Sequence, residues 1–83
     1  MVECDFEEYG CNGGYLTSST HYLIQTGVVT ESCLSYSGTD SNCNYLCDNP
    51  NQEWKKYKCK LGSMKIKVNA EDIKQELYDN GPM

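Results

Sequence analysis

Arginine is absent from the 83-residue chain, and histidine, tryptophan and phenylalanine occur once each. With a net charge of −5, a chain that has no arginine makes a poor phosphate binder, which argues against a nucleic-acid partner. No stretch approaches the roughly 20 consecutive apolar residues that a membrane span requires. A secretory leader is missing as well, because Met1 is followed at once by Glu3, Asp5, Glu7 and Glu8. No Cys-x-x-Cys pair occurs, and one histidine with scattered cysteines is no recognised zinc site, so no metal and no cofactor are expected.

Cysteine, tyrosine and acid are plentiful. Hydrophobic residues make up 39% of the chain, and tyrosine supplies seven of the nine aromatics. A chain of this size buries only roughly 60–65% of its unfolded surface, so it needs staples or a partner. Six cysteines are the obvious staples, and they point to an oxidising compartment. Taken with the missing leader, they suggest that the natural start lies upstream and that Met1 is internal. Charge is segregated: residues 1–54 carry eight acids and no lysine or arginine, whereas residues 55–67 carry six lysines and no acid. Lys55, Lys56, Lys58 and Lys60 read as a solvated face beside an acidic lobe, with Trp54 as an anchor.

Periodicity divides the chain. Residues 1–14 read as the end of a helix followed by a glycine loop. Tyr15 to Gln25 read as a short helix with Leu16, Ser19, Thr20, Leu23 and Ile24 on one side. That side is half small and polar, as for close packing against another helix, and Gly27 stands where a C-cap belongs. Residues 31–53, rich in Ser, Asn, Asp and Cys, read as loop. Tyr57 to Val68 reads as a half-buried strand, with Met64, Ile66 and Val68 facing one way and Lys65 and Lys67 the other. Residues 70–79 form the clearest helix, capped by Asn69 with Asp72 in a capping-box variant, and stopped by Asn80-Gly81-Pro82.

The most specific phrase is Tyr9-Gly10-Cys11-Asn12-Gly13-Gly14-Tyr15. Two successive glycines leave the backbone bare enough for another chain to lie against it. Together with Val2-Glu3-Cys4-Asp5 upstream, the step Gly27-Val28-Val29, Tyr36, and the tail Glu71-Asp72-Ile73 to Asn80-Gly81-Pro82, this phrase resembles the middle third of a papain-like cysteine peptidase. Ser35 stands where that family usually has proline. Cys33 and the Cys43-Asn44-Tyr45-Leu46-Cys47 pair resemble the cathepsin B branch. Only nine residues separate Cys33 from Cys43, which leaves no room for that branch's occluding loop and implies an endopeptidase.

The resemblance implies an α+β fold: residues 1–60 as part of the helical lobe, and residues 61–83 as the strand and helix that begin the β-rich lobe. It implies that Asn12, Gly13, Gly14, Tyr15 and Leu16 bind substrate. The glycine backbone would pair with an extended peptide one residue before the cut, while Tyr15 and Leu16 wall an apolar pocket for the second residue upstream. The count of cysteines alone allows fifteen pairings. By resemblance Cys4 bonds Cys43, Cys33 bonds Cys47, and Cys11 bonds a cysteine outside the chain, with Cys59 unassigned. The family's nucleophile lies in a Cys-Gly-Ser-Cys-Trp-like phrase that is absent here, and His21 reads as a surface residue of a helix. No catalytic group is therefore expected in these 83 residues. The implied partners are peptide or protein substrates and propeptide or cystatin-like inhibitors. The implied location is a lysosome, a vacuole or the cell exterior. The alternatives are a disulfide-rich secreted binding module with no enzymatic parent, and a non-catalytic pseudoenzyme.

Overall fold

The computed structural model describes all 83 residues. Regular structure is sparse: a single 3₁₀ turn at Gly10–Asn12, helix α1 at Leu16–Gln25 and helix α2 at Ala70–Asn80. The helix end expected before the glycine loop reduces to one turn, closed by the Asp5 N–H donating to the Met1 carbonyl at 3.0 Å.

Helix α1 begins directly after the glycine pair, with Tyr15 as its extended N-cap residue. It stops at Gly27, whose left-handed φ of +82° suits only glycine, and whose N–H reaches back to the Tyr22 carbonyl at 2.9 Å. Leu16 is 87% exposed and no second helix packs on α1, so the close helix–helix contact expected of this face does not form. Instead the lysine-rich segment crosses the end of α1. Val28 and Tyr57 exchange both backbone bonds, at 2.9 and 2.7 Å, and the Cys59 N–H donates to the Leu23 carbonyl at 3.0 Å.

That single bridge is all the β-structure in the chain. The strand expected over Tyr57 to Val68 does not form, and the predicted inward face is open, with Ile66 69% and Val68 86% exposed while Lys67 is half-buried. The reason is that a strand takes its hydrogen bonds from a neighbour, and past Cys59 no other segment shares backbone hydrogen bonds with this one. The α-part of the α+β expectation stands, but the β-part has no sheet here.

Helix α2 is the counter-example, because its interactions are local. The Asn69 side chain accepts from the Asp72 N–H at 2.9 Å and donates to the Asp72 carboxylate at 2.9 Å. Gln75 donates to Asp79 and Asn80 to Glu76, each at i,i+4 spacing, and Gly81 closes the C-terminus on the Leu77 carbonyl. No other element touches α2, which leaves Leu77 and Tyr78 exposed.

What stands in for a core is covalent. Only four residues are buried, Asp5, Gly27, Cys33 and Cys47. Two disulfides join Cys4 to Cys43 and Cys33 to Cys47. Their sequence separations of 39 and 14 make them worth roughly 4 and 3 kcal/mol on chain-entropy grounds. The loop over 31–53 hangs on the second, where the Asp48 N–H donates to the Cys33 carbonyl at 2.6 Å and the Asp48 side chain accepts from Ser35. The radius of gyration is 15.0 Å, against about 12 Å for a compact domain of this length. The 31 backbone–backbone hydrogen bonds compare with roughly 55–60 in a well-packed chain of this size. No helix is long and apolar enough to cross a membrane.

Stability should therefore be local rather than global. In hydrogen exchange, the amides of Cys33 and Asp48 are expected to outlast those of α2 by at least tenfold. Isolated helices of about this length are marginal in water. Reducing both disulfides should erase the difference. A sharp, cooperative thermal transition carrying α2 with the disulfide region would contradict this picture.

Candidate substrate-binding loop

The Tyr9–Leu16 segment is a closed loop mounted on two carboxylates. The 3₁₀ turn is held by the Asn12 N–H donating to the Tyr9 carbonyl, and the ring is shut by the Tyr9 N–H donating to the Gly13 carbonyl, both at 2.9 Å. Gly13 has φ +98° and ψ −163°, a region open essentially to glycine alone. Nothing lies within 4 Å of where a Gly13 side chain would begin, so this face of the loop is open to solvent.

Glu8 supports the loop from below. Its carboxylate accepts from the Tyr15 N–H at 2.6 Å and from the Ser18 hydroxyl. In a capping box, the third helical residue reaches back to the N-cap N–H. Ser18 holds that position in α1 but is too short to reach, and Glu8 bridges the two groups from outside the helix. A Cβ on Gly14 would run into the Glu8 carboxylate, so a side chain there would displace Glu8 from its place under the loop. The second support is Asp40, which accepts from the Cys11 N–H at 2.7 Å. Asp40 belongs to the 31–53 loop, which the Cys4–Cys43 bond ties to the N-terminal segment.

With Gly13 turned into the ring and Tyr15 held by Glu8, the N–H and carbonyl of Gly14 take part in no hydrogen bond. Tyr15 and Leu16 stand beside this bare peptide unit with exposed apolar surface. Asn12, Gly13, Gly14, Tyr15 and Leu16 thus form one continuous exposed strip. Glu8 and Asp40, which orient it, carry no motif of their own. The only sequence signal for Glu8 is an acid close ahead of an uncapped helix start.

Cys11 and Cys59 carry free thiols, and both are exposed. Partial desolvation, reinforced by the hydrogen bond and charge of Asp40 and then by the charge of Glu3, pushes the Cys11 thiol above its ordinary value. Since the thiolate is the nucleophile, this setting works against catalysis at Cys11.

The chain matches the family described as papain family cysteine protease over residues 1–83, and it belongs to that family. It is 35% identical to cathepsin K of Mus musculus over 85 residues, covering 100% of this chain and 24% of that protein. It is 32% identical to cathepsin B-like protease 1 of Arabidopsis thaliana over 89 residues, covering 90% of this chain and 24% of that protein. Against chymopapain of Carica papaya the identity is 40% over 43 residues, covering 52% of this chain and 12% of that protein. The chain spans about a quarter or less of the length of these relatives. No solved structure gives a significant match.

Glu8→Ala should cost about 1 kcal/mol, the typical worth of an N-cap interaction. It should also speed exchange of the Tyr15 amide several-fold while leaving the α2 amides unchanged. Glu8→Gln, which can still accept, should recover most of the loss. Equal exchange of the Tyr15 amide in all three proteins would remove Glu8 from this role.

Proposed function

We propose that the chain is an internal segment of a papain-like cysteine endopeptidase and supplies part of its substrate cleft but no catalytic group. The observation that carries this reading is the unclaimed N–H and carbonyl of Gly14, presented beside the open face of Gly13. An extended peptide can exchange two main-chain hydrogen bonds with one such residue, whatever its own sequence. Tyr15 and Leu16 then offer apolar surface to the substrate residue second upstream of the cut, which gives a preference for apolar side chains there.

The parent enzyme would cleave by thiolate attack on the scissile carbonyl, with a histidine as general base and an acyl-enzyme intermediate. The nucleophile, the histidine and its orienting asparagine lie outside residues 1–83 on this reading. The setting of Cys11 supports that assignment. Residues 1–60 belong to the helical lobe, and residues 61–83 begin the β-rich lobe, whose missing strands account for the unpaired segment after Cys59. Cys11 awaits a cysteine from the missing part of the helical lobe. The nine-residue interval between Cys33 and Cys43 favours an endopeptidase with an unobstructed cleft. Disulfides and family together favour a lysosome, a vacuole or the cell exterior, with peptide substrates and propeptide or cystatin-like inhibitors as partners.

The test has two parts. The purified 83-residue chain should hydrolyse no fluorogenic peptide, and turnover abolished by a thiol-alkylating inhibitor would overturn the reading. In the product of the full reading frame, Gly14→Ala should lower kcat/KM at least tenfold, mainly through KM. It obstructs two hydrogen bonds of about 1 kcal/mol each. An unchanged kcat/KM would remove the glycine pair from the cleft.

A further inference from the structure

Seven asparagines occur in the chain, and two of them, Asn12 and Asn80, are followed by glycine. That pairing carries a chemistry of its own. With no side chain beside it, the glycine nitrogen can turn towards the side-chain carbonyl carbon of the asparagine before it and close a five-membered ring. Whether it does so depends on how firmly the two reacting groups are held.

The two sites differ in this respect. At Asn80 both groups are engaged: the side-chain amide donates to Glu76 at 2.9 Å, and the Gly81 N–H donates to the Leu77 carbonyl at 3.0 Å. Asn12 is exposed, and its side chain takes no part in the hydrogen bonds that hold the loop. The Gly13 N–H donates to the Gly10 carbonyl at 3.3 Å, outside the usual range of about 2.7–3.2 Å. That bond belongs to a 3₁₀ turn of only three residues, a geometry that makes poorer hydrogen bonds than an α-helix. Nothing lies within 4 Å of where a Gly13 side chain would begin, so no neighbour crowds that residue.

We infer that Asn12–Gly13 is a self-modification site, where the loop converts its own asparagine to a succinimide and then to aspartate or isoaspartate. In the first step the Gly13 nitrogen attacks Asn12 Cγ and a C–N bond forms. The proton that hydroxide takes from this nitrogen is returned through solvent to the departing side-chain amide, which leaves as ammonia. In the second step water adds to one of the two ring carbonyls and breaks its bond to nitrogen. Opening at the side-chain carbonyl leaves aspartate, and opening at the main-chain carbonyl leaves isoaspartate, whose backbone runs through Cβ. Water is the only co-reactant. Either product places a carboxylate in a strip, Asn12 to Leu16, that has no charged side chain. Isoaspartate also adds one atom to the main chain inside the ring that the Tyr9 N–H closes on the Gly13 carbonyl, so the mounting of Gly14 is lost. That this ends peptide binding rests on the proposed function; the modification itself does not.

The experiment ages the oxidised 83-residue chain in neutral buffer as two variants, Asn80→Gln and Asn12→Gln, each of which leaves one Asn-Gly pair. Isoaspartate is counted by enzymatic methylation of its carboxylate from a labelled methyl donor and located by peptide mass spectrometry. The same variants, reduced and unfolded in urea, give the rate of each pair without structure. Where Asn12 is the remaining pair, folding should slow the reaction less than fivefold, and the rate should rise with pH because attack needs the deprotonated nitrogen. Where Asn80 remains, folding should slow it more than at Asn12. Slowing of Asn12 by fivefold or more would overturn the site. Asn80 slowed no more than Asn12 would overturn the role given to the hydrogen bonds. Neither result depends on peptidase activity, so this inference and the role of the glycine strip, tested by Gly14→Ala, can fail separately.

Discussion

The Cys33–Cys47 bridge is the one place where this chain buries hydrophobic side chains, and the rest of the structure is arranged around that fact. With no large aliphatic or aromatic side chain buried, the hydrophobic effect cannot by itself hold a unique fold here. The two disulfides instead limit how far the unfolded chain can spread. The bridge at Cys33 organises the loop through Asp48 and Ser35, and the longer bridge at Cys4 brings that loop against the N-terminal segment. The expanded radius and the missing half of the backbone hydrogen bonds follow from the same shortage of core.

The glycine loop inherits its shape from those crosslinks. Asp40 reaches the Cys11 N–H because Cys43, three residues on, is tied to Cys4. Glu8 reaches the start of α1 because Gly14 has no side chain to keep it away. The two acids occupy backbone donors at either end of the strip and leave the peptide unit of Gly14 free between them. A surface that binds peptide main chain must keep a donor and an acceptor unspent, and here the local architecture does so by satisfying their neighbours. Asp40, one of the acids that orient the loop, also adds to the burial that depresses the reactivity of Cys11, so substrate binding and nucleophilic chemistry belong to different parts of the parent enzyme on this reading.

The surroundings of Asp5 and Trp54 and the bare segment after Cys59 express one condition. Each presents groups whose partners are not among these 83 residues: an unpaired carboxylate and indole in the first case, unpaired strand backbone and exposed Ile66 and Val68 in the second. Exposed strand edges of this kind invite association, and the lysines on either side of them are the usual counterweight.

Sequence alone determined whatever depends on neighbours a few residues away. Helix α2, its Asn69 cap and its Gly81 stop follow from i,i+3 and i,i+4 chemistry, and they form without help from the rest of the chain. Helix α1 and the Gly13–Gly14 phrase were legible for the same reason. What only the tertiary structure decided involves groups far apart in sequence. The strand at Tyr57 to Val68 has the right alternation and fails for want of a neighbour to share hydrogen bonds. The helix face on Leu16 and Leu23 has the right spacing but no helix packs on it: Leu16 stays exposed and the crossing segment reaches only the end of α1, at the Leu23 carbonyl. The roles of Glu8 and Asp40 were invisible in the sequence, because a carboxylate shows its partner only once the chain has folded around it.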